Sequence, residues 1–185
     1  DACFAALRTT AVVYVGERHD RAEDHAVQNT ILRQVHRDEP SLAVGMEMFQ
    51  TPFQQPLDDW SAGRIDEVVL RRESEYDERW GYDFSFYRPM LEFARSHGLE
   101  VVALNAPREV AHAVALTGVE DLEPEVAASL PELDLGDVEH RALFDRAFDI
   151  AEHGGSREMV DRFYEAQVVW DETMGSRVAA TLNRS

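Results

Sequence analysis

The sequence predicts an α/β protein: a parallel-sheet core with crossover helices, a helical insertion after the second strand and a helical C-terminal half. Three observations predict it. Three short runs are almost continuously apolar, as strands buried on both faces of a parallel sheet are. Helical spacing of apolar residues fills the gaps between them. Beyond Asn105 the pattern is helical throughout. Alternating strand and helix gives an α/β fold with right-handed crossovers.

The elements follow in order. Ala11-Val12-Val13-Tyr14-Val15-Gly16 is the first expected strand. Glu23 to Arg37 carries Val27, Ile31 and Val35 at helical spacing. Leu42-Ala43-Val44-Gly45-Met46 is the second strand. Thr51 to Tyr82 is the insertion, with two short helices, Pro52–Trp60 and Arg64–Arg72, on either side of Gly63. Phe84 to His97 is a crossover helix, and Gly98 stands where a left-handed cap belongs. Leu99 to Leu104 is the third strand. Pro107 suits a helix start, and Gly118 ends that helix. Pro124 and Pro131 punctuate the next stretch. Asp137–Glu152 and Ser156–Leu182 read as longer helices around Gly154-Gly155. The organisation is a single domain over residues 1–185 with no internal repeat.

The chain has 185 residues and a formal charge of −18, from 36 acidic and 18 basic residues. Every basic residue is arginine. So acidic a surface repels phosphate, which argues against a nucleic-acid binder and against adsorption to an anionic bilayer. With 44% hydrophobic residues the chain can fold. Cys3 is the single cysteine, so neither an intrachain disulfide nor a cysteine metal cage forms. No apolar run approaches the roughly 20 residues that cross a bilayer. The chain opens Asp-Ala-Cys, without methionine or a signal peptide, as a processed product would.

Each expected strand ends in polar groups. The first is followed by Glu17, His19 and Asp20, the second by Glu47, and the third by Asn105 with Arg108 one turn on. Parallel α/β sheets bind ligands beyond the carboxyl ends of their strands, so Glu17, His19, Glu47, Asn105 and Arg108 are expected to share a crevice. Glu17, His19 and Glu47 could ligate a divalent metal or act as general acid and base. Arg108 could hold an anionic group. A purely internal network is the alternative, with Arg108 paired to Glu17 or Glu47 and His19 bonded to a strand-end carbonyl.

Two helices add polar faces. His25, Gln28 and Leu32 share one side of the first helix, and Tyr164, Gln167, Asp171 and Met174 one side of the last. Either stripe could line a pocket or face solvent. Tyr76, Trp80, Tyr82, Phe84, Phe86 and Tyr87 form an aromatic cluster. Such clusters form cores, but they also suit a flat ligand, and a tyrosine phenolate can ligate haem iron. His97, His112, His140 and His153 carry no assigned role. Gly-x-Ser-x-Gly, phosphate-loop and His-Glu-x-x-His motifs are absent.

Val13-Tyr14-Val15-Gly16-Glu17-Arg18-His19-Asp20, with His25 and Gln28, then Gly45-Met46-Glu47-Met48-Phe49, resemble the ChaN-like haem-binding uptake proteins of the Tiki superfamily. The likeness continues through Trp80-Gly81-Tyr82, Tyr87-Arg88-Pro89-Met90 and Ala103-Leu104-Asn105-Ala106-Pro107-Arg108. It ends in Ala166-Gln167-Val168-Val169-Trp170-Asp171-Glu172-Thr173-Met174. It therefore covers most of the chain, in the family's order.

This resemblance implies an α/β fold and a bacterial iron-regulated protein, often a lipoprotein of the cell envelope, although a cytoplasmic location stays open. It implies haem binding, in some members at a subunit interface, so a homodimer is a candidate state. Tyr82, Tyr87 or Tyr164 would then meet the iron and Arg108 a propionate. The superfamily also includes erythromycin esterase-like hydrolases and Tiki-type metalloproteases. Glu17, His19 and Glu47 match their active-site positions, which makes a metal-dependent hydrolase the alternative function. A non-enzymatic scaffold whose acidic surface binds a basic partner is a third. Family members add a later strand ending in a Gly-x-x-His-like motif. This chain stops at Ser185, directly after the helix that would precede it, so the domain reads as shortened at its C-terminal end.

Overall fold

A computed structural model of the chain describes residue 7, residues 10–148 and residues 156–184. The α/β class holds: two parallel strands stand among helices. Strand β1 is Val44–Gln50 and strand β2 is Val101–Asn105. Helices α1 to α9 are Ala22–Asp38, Gln54–Ser61, Glu67–Glu73, Tyr76–Arg79, Arg88–His97, Arg108–Thr117, Pro124–Ala127, Val138–Ala147 and Arg157–Leu182. Short 3-10 turns at Thr51–Phe53 and Phe84–Phe86 lead into α2 and α5. The Gly154-Gly155 break, Cys3 and His153 lie outside the described residues.

The chain divides into two compact units, Asp1–Ala103 with Thr181–Ser185, and Leu104–Ala180. In the first unit, Met46, Phe49, Leu57, Leu70, Leu91 and Val101 build the core together with the buried rings of Tyr76, Phe84 and Tyr87. Helix α1 lays Leu32 against that core and places Glu23 and Asp24 in its first turn and His36 and Arg37 in its last, each sign favoured by the helix dipole. Gly98 ends α5 at φ 66°, the left-handed cap that its position predicts. Its neighbour Leu99 then returns a backbone bond to the Ala94 carbonyl.

The strands pair where Val44 N–H donates to the Glu100 carbonyl at 2.8 Å. Gln54 continues the pairing with a side chain. Its amide donates to the Val101 carbonyl at 2.8 Å and accepts from Ala103 N–H at 2.9 Å. One glutamine thus satisfies two backbone groups of β2 that would otherwise need a further strand.

Ala11–Gly16 differs from the expectation, being irregular rather than a strand. An apolar run becomes a strand only where another strand meets its backbone groups. Here the Val15 carbonyl takes a bond from the Gln28 side chain at 3.1 Å, and the Tyr14 ring is 76% exposed. Strand β1 also runs to Gln50, so Glu47 sits mid-strand rather than after a strand end.

The second unit is helical beyond β2. Ala106, Val114, Ala166 and Val169 form its core, with Val110, Leu122 and Leu133 packed around them. Gly118 closes α6 at φ 87°. A β-carbon there would stand 3.3 Å from Glu165 Oε2, the same oxygen that accepts the Val119 N–H at 2.8 Å. The positive φ therefore favours glycine, and a side chain there would press on that carboxylate.

Candidate functional site

The densest polar centre of the first unit forms around Glu17, whose side chain is only 7% exposed. A buried carboxylate needs donors to replace lost water. Tyr87 hydroxyl donates to Glu17 Oε1 at 2.6 Å, and His19 Nδ1 lies 2.9 Å from the same oxygen. His25 Nδ1 stands 3.2 Å from Oε2, within ion-pair range but without the direction of a hydrogen bond, so this buried nitrogen is left unsatisfied. The other ring nitrogen of His25 lies 3.1 Å from the His19 carbonyl. A carbonyl only accepts, so His25 Nε2 carries hydrogen. This contact also fixes the loop that carries His19.

Tyr87 is itself fully buried and receives a bond from Trp80 Nε1 at 3.0 Å. Burial, and then the Glu17 carboxylate, hold its phenol far above the ordinary tyrosine range. Tyr76 is raised by burial in the same way, and its hydroxyl donates to the Tyr82 carbonyl at 3.0 Å.

Around this centre the aromatic cluster separates into core and rim. Tyr76, Phe84 and Tyr87 are buried, Trp80 and Phe86 partly so, and Tyr82 is 40% exposed. His25 stacks on Phe86 with 4.7 Å between ring centroids. The His19 ring meets Trp80 at 4.7 Å and Tyr82 at 4.9 Å. His19 is one-third exposed. Its Nε2 has no hydrogen-bond partner among the described residues. The centre is thus a buried carboxylate behind an outward-facing imidazole, set in an aromatic rim.

The structure brings together Glu17, His19, His25, Tyr82 and Tyr87. Gln28 joins them along α1, one turn beyond His25, with its side-chain oxygen buried and unpaired. Glu47 lies between Met46 and Met48 on β1 and faces the opposite side of the strand from them. Asn105, the last residue of β2, has a buried, unpaired side-chain oxygen, and Arg108 is the first residue of α6; both belong to the second unit. Among the described residues no three His, Cys, Asp or Glu side chains are grouped to hold a metal ion, so the structure does not support the divalent-metal expectation for Glu17, His19 and Glu47.

Two of the tyrosines expected to meet haem iron are buried and hydrogen-bonded. Tyr87 is enclosed and gives its hydrogen to Glu17. Tyr164 is 3% exposed and lies in the second unit, where its hydroxyl bonds to the Asp137 carbonyl at 3.3 Å. Burial, and then Asp137, raise the Tyr164 phenol.

Tyr164 belongs to a second polar centre, in which the α9 stripe meets His140. His140 Nε2 lies 2.9 Å from Asp171 Oδ2, and His140 Nδ1 3.3 Å from the Tyr164 hydroxyl. Gln167 donates to both Asp171 oxygens at 3.1–3.2 Å, the i,i+4 pairing of one helix face. A cleft of about 220 Å³ is lined by Asp134, Asp137, His140, Val168, Asp171 and Glu172. The stripe on α9 was visible in the sequence. His140 was not, because nothing local pairs it with a residue 31 positions on.

The family model for haem-binding uptake proteins of the Tiki superfamily, ChaN, matches residues 3–185. The chain belongs to the ChaN family. A solved structure described as cofacial heme binding to ChaN of Campylobacter jejuni superposes with a TM-score of 0.71 at 17% identity. The superposition covers 98% of this ChaN-family chain and 69% of that one, and it shows the shared fold. The chloroplastic protein RETICULATA-RELATED 5 of Arabidopsis thaliana is 24% identical over 123 residues, 63% of this chain. The chain spans 16% of that relative's length. Among the described residues no helix is long and apolar enough to cross a membrane.

Proposed function

We propose that this ChaN-family protein binds haem at the rim formed by His19, Trp80 and Tyr82, and that it serves bacterial iron uptake at the cell envelope. The observation that carries the reading is the one-third-exposed His19 imidazole packed with the Trp80 and Tyr82 rings and backed by the buried Glu17. The residues fit a porphyrin. Flat aromatic side chains match its faces, and its four nitrogens already satisfy most of the iron's coordination, so one or two protein ligands suffice. A bare divalent ion needs three or four protein groups, and the described residues do not assemble such a set. Family membership and the fold shared with a haem-bound ChaN support the same ligand.

Titration with haem, followed by absorption and by tryptophan fluorescence, tests the reading. Saturable binding with a shifted Soret band and quenching that disappears in Trp80→Phe is the expected result. A linear, non-saturating titration refutes it. Sedimentation of the loaded protein tests whether haem is held by a homodimer. Iron-dependent expression and cell fractionation test the uptake role and the envelope location.

A further inference from the structure

We infer that His36 and His97 form an acid-sensitive latch, which holds the C-terminal end of α1 on α5 while His36 is neutral and releases it when His36 takes a proton. The latch does not depend on haem. Both histidines stand in the first unit, in the last turns of α1 and α5. Both rings pack on the buried Phe93, with centroid separations of 4.0 Å for His97 and 5.3 Å for His36. The Arg33 guanidinium lies 4.5 Å from the centre of the same ring. The two imidazoles meet each other edge to face at 4.8 Å. Three bases from two helices therefore converge on one aromatic ring, and Arg33 is charged throughout the working pH range.

The two histidines are not equivalent. His97 Nδ1 lies 2.9 Å from the Phe93 carbonyl, which only accepts, so that nitrogen carries hydrogen. An acid proton then goes to Nε2 of this exposed residue. His36 differs, because its Nδ1 is buried and has no hydrogen-bond partner among the described residues. In a neutral ring that nitrogen can carry a lone pair, which needs no acceptor. In an imidazolium both nitrogens carry hydrogen, so a charged N–H would stand enclosed without an acceptor, beside His97 and near Arg33. The α1 dipole favours positive charge at this end but supplies no acceptor to that nitrogen. The carboxylates of the seam supply none either. Glu92 of α5 hydrogen-bonds neither imidazole, Glu100 pairs with Arg184 at 2.7 Å, and Asp38 and Glu39, beyond His36, do not reach its Nδ1. Arg37 and Arg95, in the same last turns, add only positive charge. His36 therefore takes a proton when the end of α1 moves and lets Nδ1 meet water.

Amide hydrogen exchange of the full chain, corrected for its intrinsic pH dependence, tests the latch together with imidazole nitrogen resonance. Protection of the α1 amides from Arg33 to Asp38 is expected to fall about tenfold between pH 7.5 and 5.5, as a proton taken only by the opened end requires. Protection in α2 should stay constant. His36→Phe keeps a ring on Phe93 that cannot charge, and should abolish the fall. His97→Phe leaves the enclosed His36 Nδ1 in place, and should keep it. If His36→Phe does not fold, the wild-type nitrogen spectra decide: His36 should be neutral wherever the end of α1 is protected. Protection that does not change with pH overturns the latch. So does a fall that persists in His36→Phe or disappears in His97→Phe instead, or a His36 imidazolium in a chain whose α1 end stays protected.

Discussion

Each unit of the molecule contains a histidine–carboxylate pair at 2.9 Å, and only the first has a buried partner. In the first unit the carboxylate is inside and the imidazole outside: Glu17 is sheltered, Tyr87 behind it is enclosed, and His19 faces out. In the second, Asp171 is 40% exposed, His140 is 29% exposed, and both line an open cleft. Water can solvate Asp171 whether or not His140 is present. It cannot solvate Glu17, so Glu17 depends on its protein donors. The same contact therefore fixes geometry in one place and is a modest surface attraction in the other.

The largest test of this contrast is removal of each carboxylate. Glu17→Ala leaves the Tyr87 hydroxyl without its acceptor beside His25, and should cost about 3 kcal/mol in chemical denaturation. Equal losses for Glu17→Ala and Asp171→Ala would break the contrast. Tyr87→Phe removes one bond to a charged acceptor and one acceptor for Trp80, and should cost about 2 kcal/mol by the same measurement.

Alkaline pH sharpens the contrast without mutation. Tyr76 and Tyr87 have folded-state values raised by burial above their unfolded ones. Their stabilising contribution is complete below the ordinary tyrosine value of about 10 and is lost as pH rises beyond it. Ultraviolet titration at about pH 11 should therefore leave these phenols protonated until the chain unfolds. Complete phenol ionisation in the folded state would contradict their enclosure.

On the acid side, hydrogen bonds from Arg88 hold the Glu67 carboxyl below the usual carboxylate range. Its contribution is present above the ordinary value of about 4.3 and lost as pH falls through the depressed folded one. Arg88→Ala should flatten the acid limb of stability against pH. The smallest effect is expected at the second centre, where Asp171→Ala should cost under about 1 kcal/mol.

Much of the fold was legible because its signals are local. Gly98 and Gly118 mark helix ends through backbone freedom, and the apolar spacing of residues 23–37 marks α1. The run 11–16 misled for the complementary reason. Its composition suits a strand, but a strand requires partners, and Gln28 rather than a neighbouring strand meets Val15. For the site, position pointed to Glu17 and His19 and helical spacing to His25 and Gln28. Tyr87 was nominated as an iron ligand; the folded chain shows it enclosed and hydrogen-bonded to Glu17.

By itself, the sequence determined the α/β class, the order and ends of most helices, the resemblance to a haem-binding family and the polar residues worth watching. All of these rest on residue type and short-range spacing. Tertiary structure decided which members of the aromatic cluster are core and which are rim, which ring nitrogen of His19 is left open, and that His140 joins Asp171. Those outcomes depend on burial and on pairings up to 70 positions apart, between Glu17 and Tyr87. No local pattern records such a pairing, because its energy comes from excluding water around groups that meet only when the chain is folded.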